Sequence, residues 1–156
     1  YKAEKIGLKT QVISSGRKIN EKMASNIFSR IINYSKKNNS KMKDVGIMGL
    51  SFKENSSDIR NSQIFKLIEL FEKRRVNLQL LDPRINKNEL KEKYKKYLVN
   101  KFKRKLDCLI LSTPHKEFLN LSDNYFKRIL KKKSLFFDVK RKKNIKFTKT
   151  IKVLSL

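Results

Sequence analysis

From Asp44 onward the chain alternates short apolar runs with helical patterns, and this alternation restricts the fold more than any other feature. The runs are "VGIMGL" from Val45, "VNLQLLD" from Val76, "DCLILS" from Asp107, "LFFDV" from Leu135 and a last stretch, "IKVLSL". Runs this short read as strands, and those that are apolar throughout read as strands covered on both faces. Between them, Ile64, Leu67, Ile68 and Phe71 make one helical face, with Asn61 or Ser62 placed to cap it. The lysine-rich stretch from Lys87 to Tyr97 reads as a further helix, and "KEFLNL" and "NYFKRIL" as a helical pair. The expected fold class is therefore α/β, a Rossmann-like parallel sheet with helices on both faces.

A long helix should precede the sheet, because Ile19, Met23, Ile27, Ile31 and Tyr34 fall at helical spacing, with Phe28 and Ile32 widening the stripe. Residues 2–7 read as the end of an earlier helix stopped by Gly7, and the polar "KKNNSKMKD" as a linker. The expected units are 1–40, a helical region, and 41–156, the α/β domain.

Composition narrows the partners. A length of 156 residues with 38% hydrophobic residues suffices for one domain with a real core. There is no apolar run of membrane-spanning length and no signal-peptide pattern, so a cytoplasmic location and no membrane partner are expected. The single cysteine, Cys108, lies in an apolar strand, which disfavours its thiolate and leaves no thiolate metal site. Forty Lys+Arg against 14 Asp+Glu give a charge of +26, which raises nucleic acid as a partner. Yet lysine dominates and is spread along the chain together with Asn and Ile, as AT-rich codons would supply. Nucleic acid is accordingly not the expected partner, although the runs "KKYLVNKFKRK" and "ILKKKS" keep that alternative open.

In a parallel sheet, ligands sit beyond the carboxyl ends of the strands, where strand order reverses. Those ends carry Ser51, Phe52 and Lys53, then Asp82 and Pro83, then Thr113, Pro114 and His115, and finally Asp138, Val139 and Lys140. The first turn has Gly46 and Gly49 but not the G-x-G-x-x-G that lets a backbone approach a dinucleotide pyrophosphate. Lys53 and Lys140 could instead converge on a diphosphate; spacing alone equally allows two solvated lysines. Asp58 and Arg60 suit an ion pair that shapes the loop. His115 has no nucleophile patterned with it and fits a turn, so no catalytic residue is assigned.

"VGIMGLSFKENSSDIRNS" resembles the start of the C-terminal domain of the UDP-glucose/GDP-mannose dehydrogenase family, with its strand followed by F-K-x-N-x-x-D-x-R-x-S. The resemblance continues through "LLDP", "LSTPHKEF" and "FFDVKRK" and covers almost the whole chain. It implies the substrate-binding part of an enzyme that oxidises the 6-hydroxyl of a nucleotide sugar to a carboxylate, in two hydride transfers to NAD, in polysaccharide biosynthesis. It implies further that Phe52, Lys53 and Lys140 contact a UDP-sugar, that Asp58 and Arg60 form the D-x-R of the loop, and that Arg17 and Asn20 on the linking helix reach the substrate site or a partner subunit. A homodimer through that helix is expected.

The family's glycine fingerprint, catalytic lysine and asparagine and G-G-x-C nucleophile segment have no counterpart here. They belong upstream in the family, and the start at Tyr1 suggests a missing N-terminal NAD-binding domain. This chain is therefore expected to bind no NAD and to show no turnover alone. A stand-alone UDP-sugar-binding or regulatory module, or a basic nucleic-acid-binding domain, is the alternative.

Overall fold

A computed structural model describes residues 11–143, 145, 147 and 151–156, with side chains from residue 22 onward. The expected helix over residues 2–7 lies outside the described residues. Helix α1 (Gln11–Lys37) leads into five strands, β1 (Asp44–Met48), β2 (Asn77–Leu81), β3 (Leu106–Leu111), β4 (Leu130–Asp138) and β5 (Lys152–Ser155). They form one sheet in the order β2-β1-β3-β4-β5, with every pairing parallel. Helix α2 (Ile64–Glu72) joins β1 to β2, the single turn α3 (Glu92–Lys95) precedes β3, and α4 (Lys116–Leu119) and α5 (Asp123–Ile129) join β3 to β4.

Burial explains the composition of each strand. β1 is an interior strand and every one of its residues is buried, so "VGIM" has no polar alternation. β5 is the edge, and its Lys152 and Val153 are exposed. One face of the sheet is covered by α1 and α2, through Ala24, Ile27 and Ile31 and through Ile64, Leu67, Ile68 and Phe71. Phe28 and Phe71 meet edge to face, with ring centroids 5.1 Å apart, which fixes α1 against α2. On the other face Phe118 of α4 and Phe126 of α5 cover Leu109, Leu111 and Phe136. Full burial of a side chain such as Phe71 or Phe126 contributes roughly 1.5–3 kcal/mol.

Two local expectations are corrected. The stretch from Lys87 to Tyr97 is not one helix: it is a 3₁₀ turn (Lys87–Glu89), an extended Leu90 and the single turn α3. The open edge of β2 draws the chain back, for Leu80 donates to the Tyr97 carbonyl and Val99 donates to the Leu80 carbonyl, both at 2.9 Å. Neither Asn61 nor Ser62 caps α2. Asn61 takes a left-handed φ of 60°, and Gln63 occupies the cap position in helical conformation with no side-chain hydrogen bond.

Strand order reverses between β1 and β3, since β2 lies outward of β1 on one side and β4 outward of β3 on the other. The crevice of a doubly wound sheet lies there. Gly49 makes the turn out of β1 possible: its φ is 84°, and a Cβ on it would stand 2.3 Å from the Thr113 carbonyl oxygen.

Candidate functional site at the strand carboxyl ends

The loop after β1 is braced by four buried polar residues from the first three strand ends. Asp82 Oδ2 accepts the N–H groups of Leu50 at 2.7 Å and Ser51 at 3.3 Å. Its other oxygen accepts from the Arg84 N–H at 2.9 Å. Burial works against the Asp82 carboxylate, yet hydrogen bonds from His115, Leu50 and Arg84 outweigh it and hold the pKa below the usual aspartate value. Thr113 Oγ1 donates to the Ser51 carbonyl at 2.7 Å, and Ser51 Oγ donates to the Lys53 carbonyl at 2.9 Å.

His115 is fully buried, 3.2 Å through Nε2 from both Asp82 Oδ2 and Ser51 Oγ. Its Nδ1 accepts the Asn55 N–H at 2.9 Å, so in the neutral ring the proton sits on Nε2. A nucleophilic triad needs serine on one ring nitrogen and carboxylate on the other. Here both face Nε2 and Nδ1 is occupied by backbone, so the cluster braces the loop and does not activate Ser51.

The loop closes on itself at its base, where Phe52 donates to the Asp58 carbonyl at 2.8 Å. Arg60 grips Asp58 through Nε at 2.9 Å and Nη2 at 3.0 Å. That hydrogen bonding, chiefly from the Arg60 side chain and backbone, pulls the Asp58 pKa down to about 2.

Beside this loop lies a cleft of about 80 Å³. Its floor is Met23, Ala24 and Ile27 of α1 with Ile64, Leu67 and Val139, and its rim carries Ser51, Phe52, Ser62, Gln63, Thr113 and Lys140. Pockets that enclose a small ligand run to about 300–1,000 Å³. This cleft is smaller than that range. Phe52 stands 44% exposed on the rim of this cleft.

The residues expected at the site do not all meet. Lys140 lines the cleft, and its Nζ lies 3.2 Å from Glu54 Oε1, so it approaches the same loop that carries Lys53. Lys53 itself is outside the cleft lining and lies 6.0 Å from the centre of the Phe52 ring. Arg17 and Asn20 fall on α1, but their side chains lie outside the described residues. Cys108 is buried in β3, and burial pushes its thiol pKa far up. Sequence reasoning placed Asp82 at a strand end without a role and missed Asn55 and Arg84. The signal available was the φ preference of Asn and the single buried histidine opposite it.

The sequence model of the UDP-glucose/GDP-mannose dehydrogenase family, UDP binding domain, matches residues 46–144. The chain belongs to this family. Among curated relatives of this family it is 31% identical to "Protein CapL" of Staphylococcus aureus over 143 residues, which are 90% of this chain and 34% of that protein. It is 27% identical to a UDP-N-acetyl-D-glucosamine 6-dehydrogenase of Salmonella typhi over the same shares. The chain thus spans about a third of the length of these relatives. A UDP-N-acetyl-mannosamine dehydrogenase, Cap5O of Staphylococcus aureus, shares the fold with a TM-score of 0.73, at 24% identity over 93% of this chain and 33% of that one.

NAD, which the family implies, does not fit the first turn of this sheet. The Leu50 and Ser51 N–H groups there are already bound to Asp82, and Ser51 and Glu54 stand where the second and third glycines of G-x-G-x-x-G would follow Gly49. Among the described residues, no group of three or more His, Cys, Asp or Glu could hold a metal ion, and no helix is long and apolar enough to cross a membrane.

Proposed function

We propose that this chain is the nucleotide-sugar-binding part of an NAD-dependent nucleotide-sugar 6-dehydrogenase of polysaccharide biosynthesis. The observation that supports this reading is the braced loop after β1, next to the strand-order reversal, which carries Phe52 and Lys53 and brings Glu54 against Lys140. A UDP-sugar diphosphate set between Lys53 and Lys140 would receive two ammonium groups, with Glu54 released from Lys140 as the phosphate replaces it. Phe52 would cover an apolar face of the ligand and lose its exposure.

Oxidation of the 6-hydroxyl to a carboxylate takes two hydride transfers and a water. The described residues offer neither the cofactor turn nor an ionised thiol, so the part proposed for them is binding and orientation. The division at residue 40, a role for Arg17 and Asn20 in substrate or subunit contact, and a homodimer built through α1 belong to the same proposal.

Calorimetric titration with UDP tests the reading. Charge-assisted hydrogen bonds are worth about 1.5–3 kcal/mol, so Lys53→Ala should weaken UDP binding at least about tenfold. Unchanged affinity in that variant would remove Lys53 from the site. Enzyme-dependent NADH formation by this chain with a UDP-sugar and NAD would refute the division of labour.

A further inference from the structure

The loop after β1 is tied at its base by Phe52 and Asp58, and at its tip Asn55 makes the largest set of contacts to other loops. Asn55 takes a left-handed φ of 58°, a conformation that asparagine tolerates far better than most residues. Three of its groups are engaged by residues that follow β2 and β3. Its N–H donates to His115 Nδ1 at 2.9 Å, its carbonyl accepts from Arg84 Nη1 at 3.1 Å, and its side-chain Oδ1 accepts from the Lys116 N–H at 2.9 Å. The holders are themselves held. Arg84 pairs with Glu117 at 2.8 Å, and His115 leans on buried Asp82.

We propose that Asn55 is a positioning residue for the nucleotide-sugar site, a three-point latch that sets where Lys53 and Glu54 stand over the crevice. This inference rests on the UDP-sugar reading above. The residues that would touch ligand, Phe52 and Lys53, make none of the latch contacts, so the latch acts through the loop backbone. Its value is preorganisation: a loop already fixed in its bound shape does not have to be ordered when the diphosphate arrives. The residue type follows from the geometry. Glycine would accept the φ but lacks the acceptor for Lys116, most other residues would strain at that φ, and aspartate would keep both.

Two measurements test the latch. In titrations with UDP, Asn55→Gly should weaken binding about tenfold, and Asn55→Asp should stay within about threefold of the parent. In a Lys53→Ala background, Asn55→Gly should cost little more, because the residue it positions is gone. An equal further loss in that background would overturn the proposal. Amide hydrogen exchange of the ligand-free protein should show the Asn55 and Lys116 N–H groups exchanging faster in Asn55→Gly, with β1 and β3 unchanged. Unaltered exchange would overturn the latch by itself. If the parent chain bound no UDP, the functional reading would fall, and the exchange experiment would still decide whether the latch exists.

Discussion

At the amino ends of β1 and β3, Asp44 and Asp107 share one cation. Lys131 Nζ lies 2.7 Å from Asp44 and 3.0 Å from Asp107, whose Oδ2 also accepts the Lys43 and Asp44 N–H groups. The lysine pKa is raised, first by its hydrogen bond to Asp44. At the carboxyl ends two carboxylates are buried: Asp82, whose partners are one imidazole and three backbone N–H groups, and Asp138, which accepts the Lys140 and Lys143 N–H groups. There Lys140 sits on the cleft rim, 3.2 Å from Glu54, and Lys53 stands exposed on the loop outside the cleft lining. The amino end spends its acids on its own lysine and closes. The carboxyl end commits its buried acids to backbone N–H groups, which shapes the loops there, and Lys53 and Lys140 stay exposed, Lys140 against Glu54. A basic sequence therefore does not mark every lysine alike: Lys131, in the "ILKKKS" run that suggested nucleic acid, is a structural counter-ion.

The strongest way to break this contrast is to deform the carboxyl end alone. Gly49→Ala puts a methyl group 2.3 Å from the Thr113 carbonyl at a φ of 84°. The expected cost is about 3 kcal/mol or more from strain and overlap together. Urea denaturation measures it, and a loss under about 1 kcal/mol would mean that the turn is looser than this geometry. Asp82→Ala should come next, at about 2–3 kcal/mol, because it strands buried donors on Leu50, Ser51 and His115. UDP binding should fall with it, since the loop loses its central acceptor. A variant of normal stability would show that water replaces the carboxylate.

Strand existence and strand ends were legible because a sheet buried on both faces writes apolar runs into the sequence. "VGIMGL", "DCLILS" and "LFFDV" each contain or overlap a strand. The stretch from Lys87 to Tyr97 was misread because its shape is set by backbone pairing to Leu80, which no local pattern records. The strand-end positions were legible in the sequence, and the wiring between them was not. Phe52 and Lys140 line the cleft, and Lys53 does not. The bond from Asn55 to His115, however, joins residues 60 apart in sequence, and periodicity has no term for such a contact. His115 in particular offers two sequence readings, base or turn, and only the orientation of its two nitrogens separates them.

Lys131→Met sharpens the comparison from the other end. It leaves Asp44 and Asp107 without their cation, but the Lys131 side chain is 37% exposed, so water and salt screen the pair and the loss should be about 1 kcal/mol. UDP affinity should not change. If it fell as far as in Asp82→Ala, the two ends would be coupled through the sheet and the division drawn between them would fail.

The smallest effect concerns acid. Asp58 ionises near 2 in the folded chain against an ordinary value of about 3.9, so its pairing with Arg60 contributes fully above about pH 4 and is lost as pH falls through 2. Asp82 is shifted in the same direction, but the two differ in setting: Asp58 and Arg60 are 41% and 84% exposed, whereas Asp82 is buried. Salt reaches only the exposed pair, with a screening length of about 3 Å at 1 M. In a carboxyl titration followed by NMR, about 1 M salt should therefore move the Asp58 midpoint up toward the ordinary aspartate value and leave Asp82 in place. Movement of both together would place solvent at the Asp82 carboxylate, and the loop would then rest on a hydrated brace rather than a buried one.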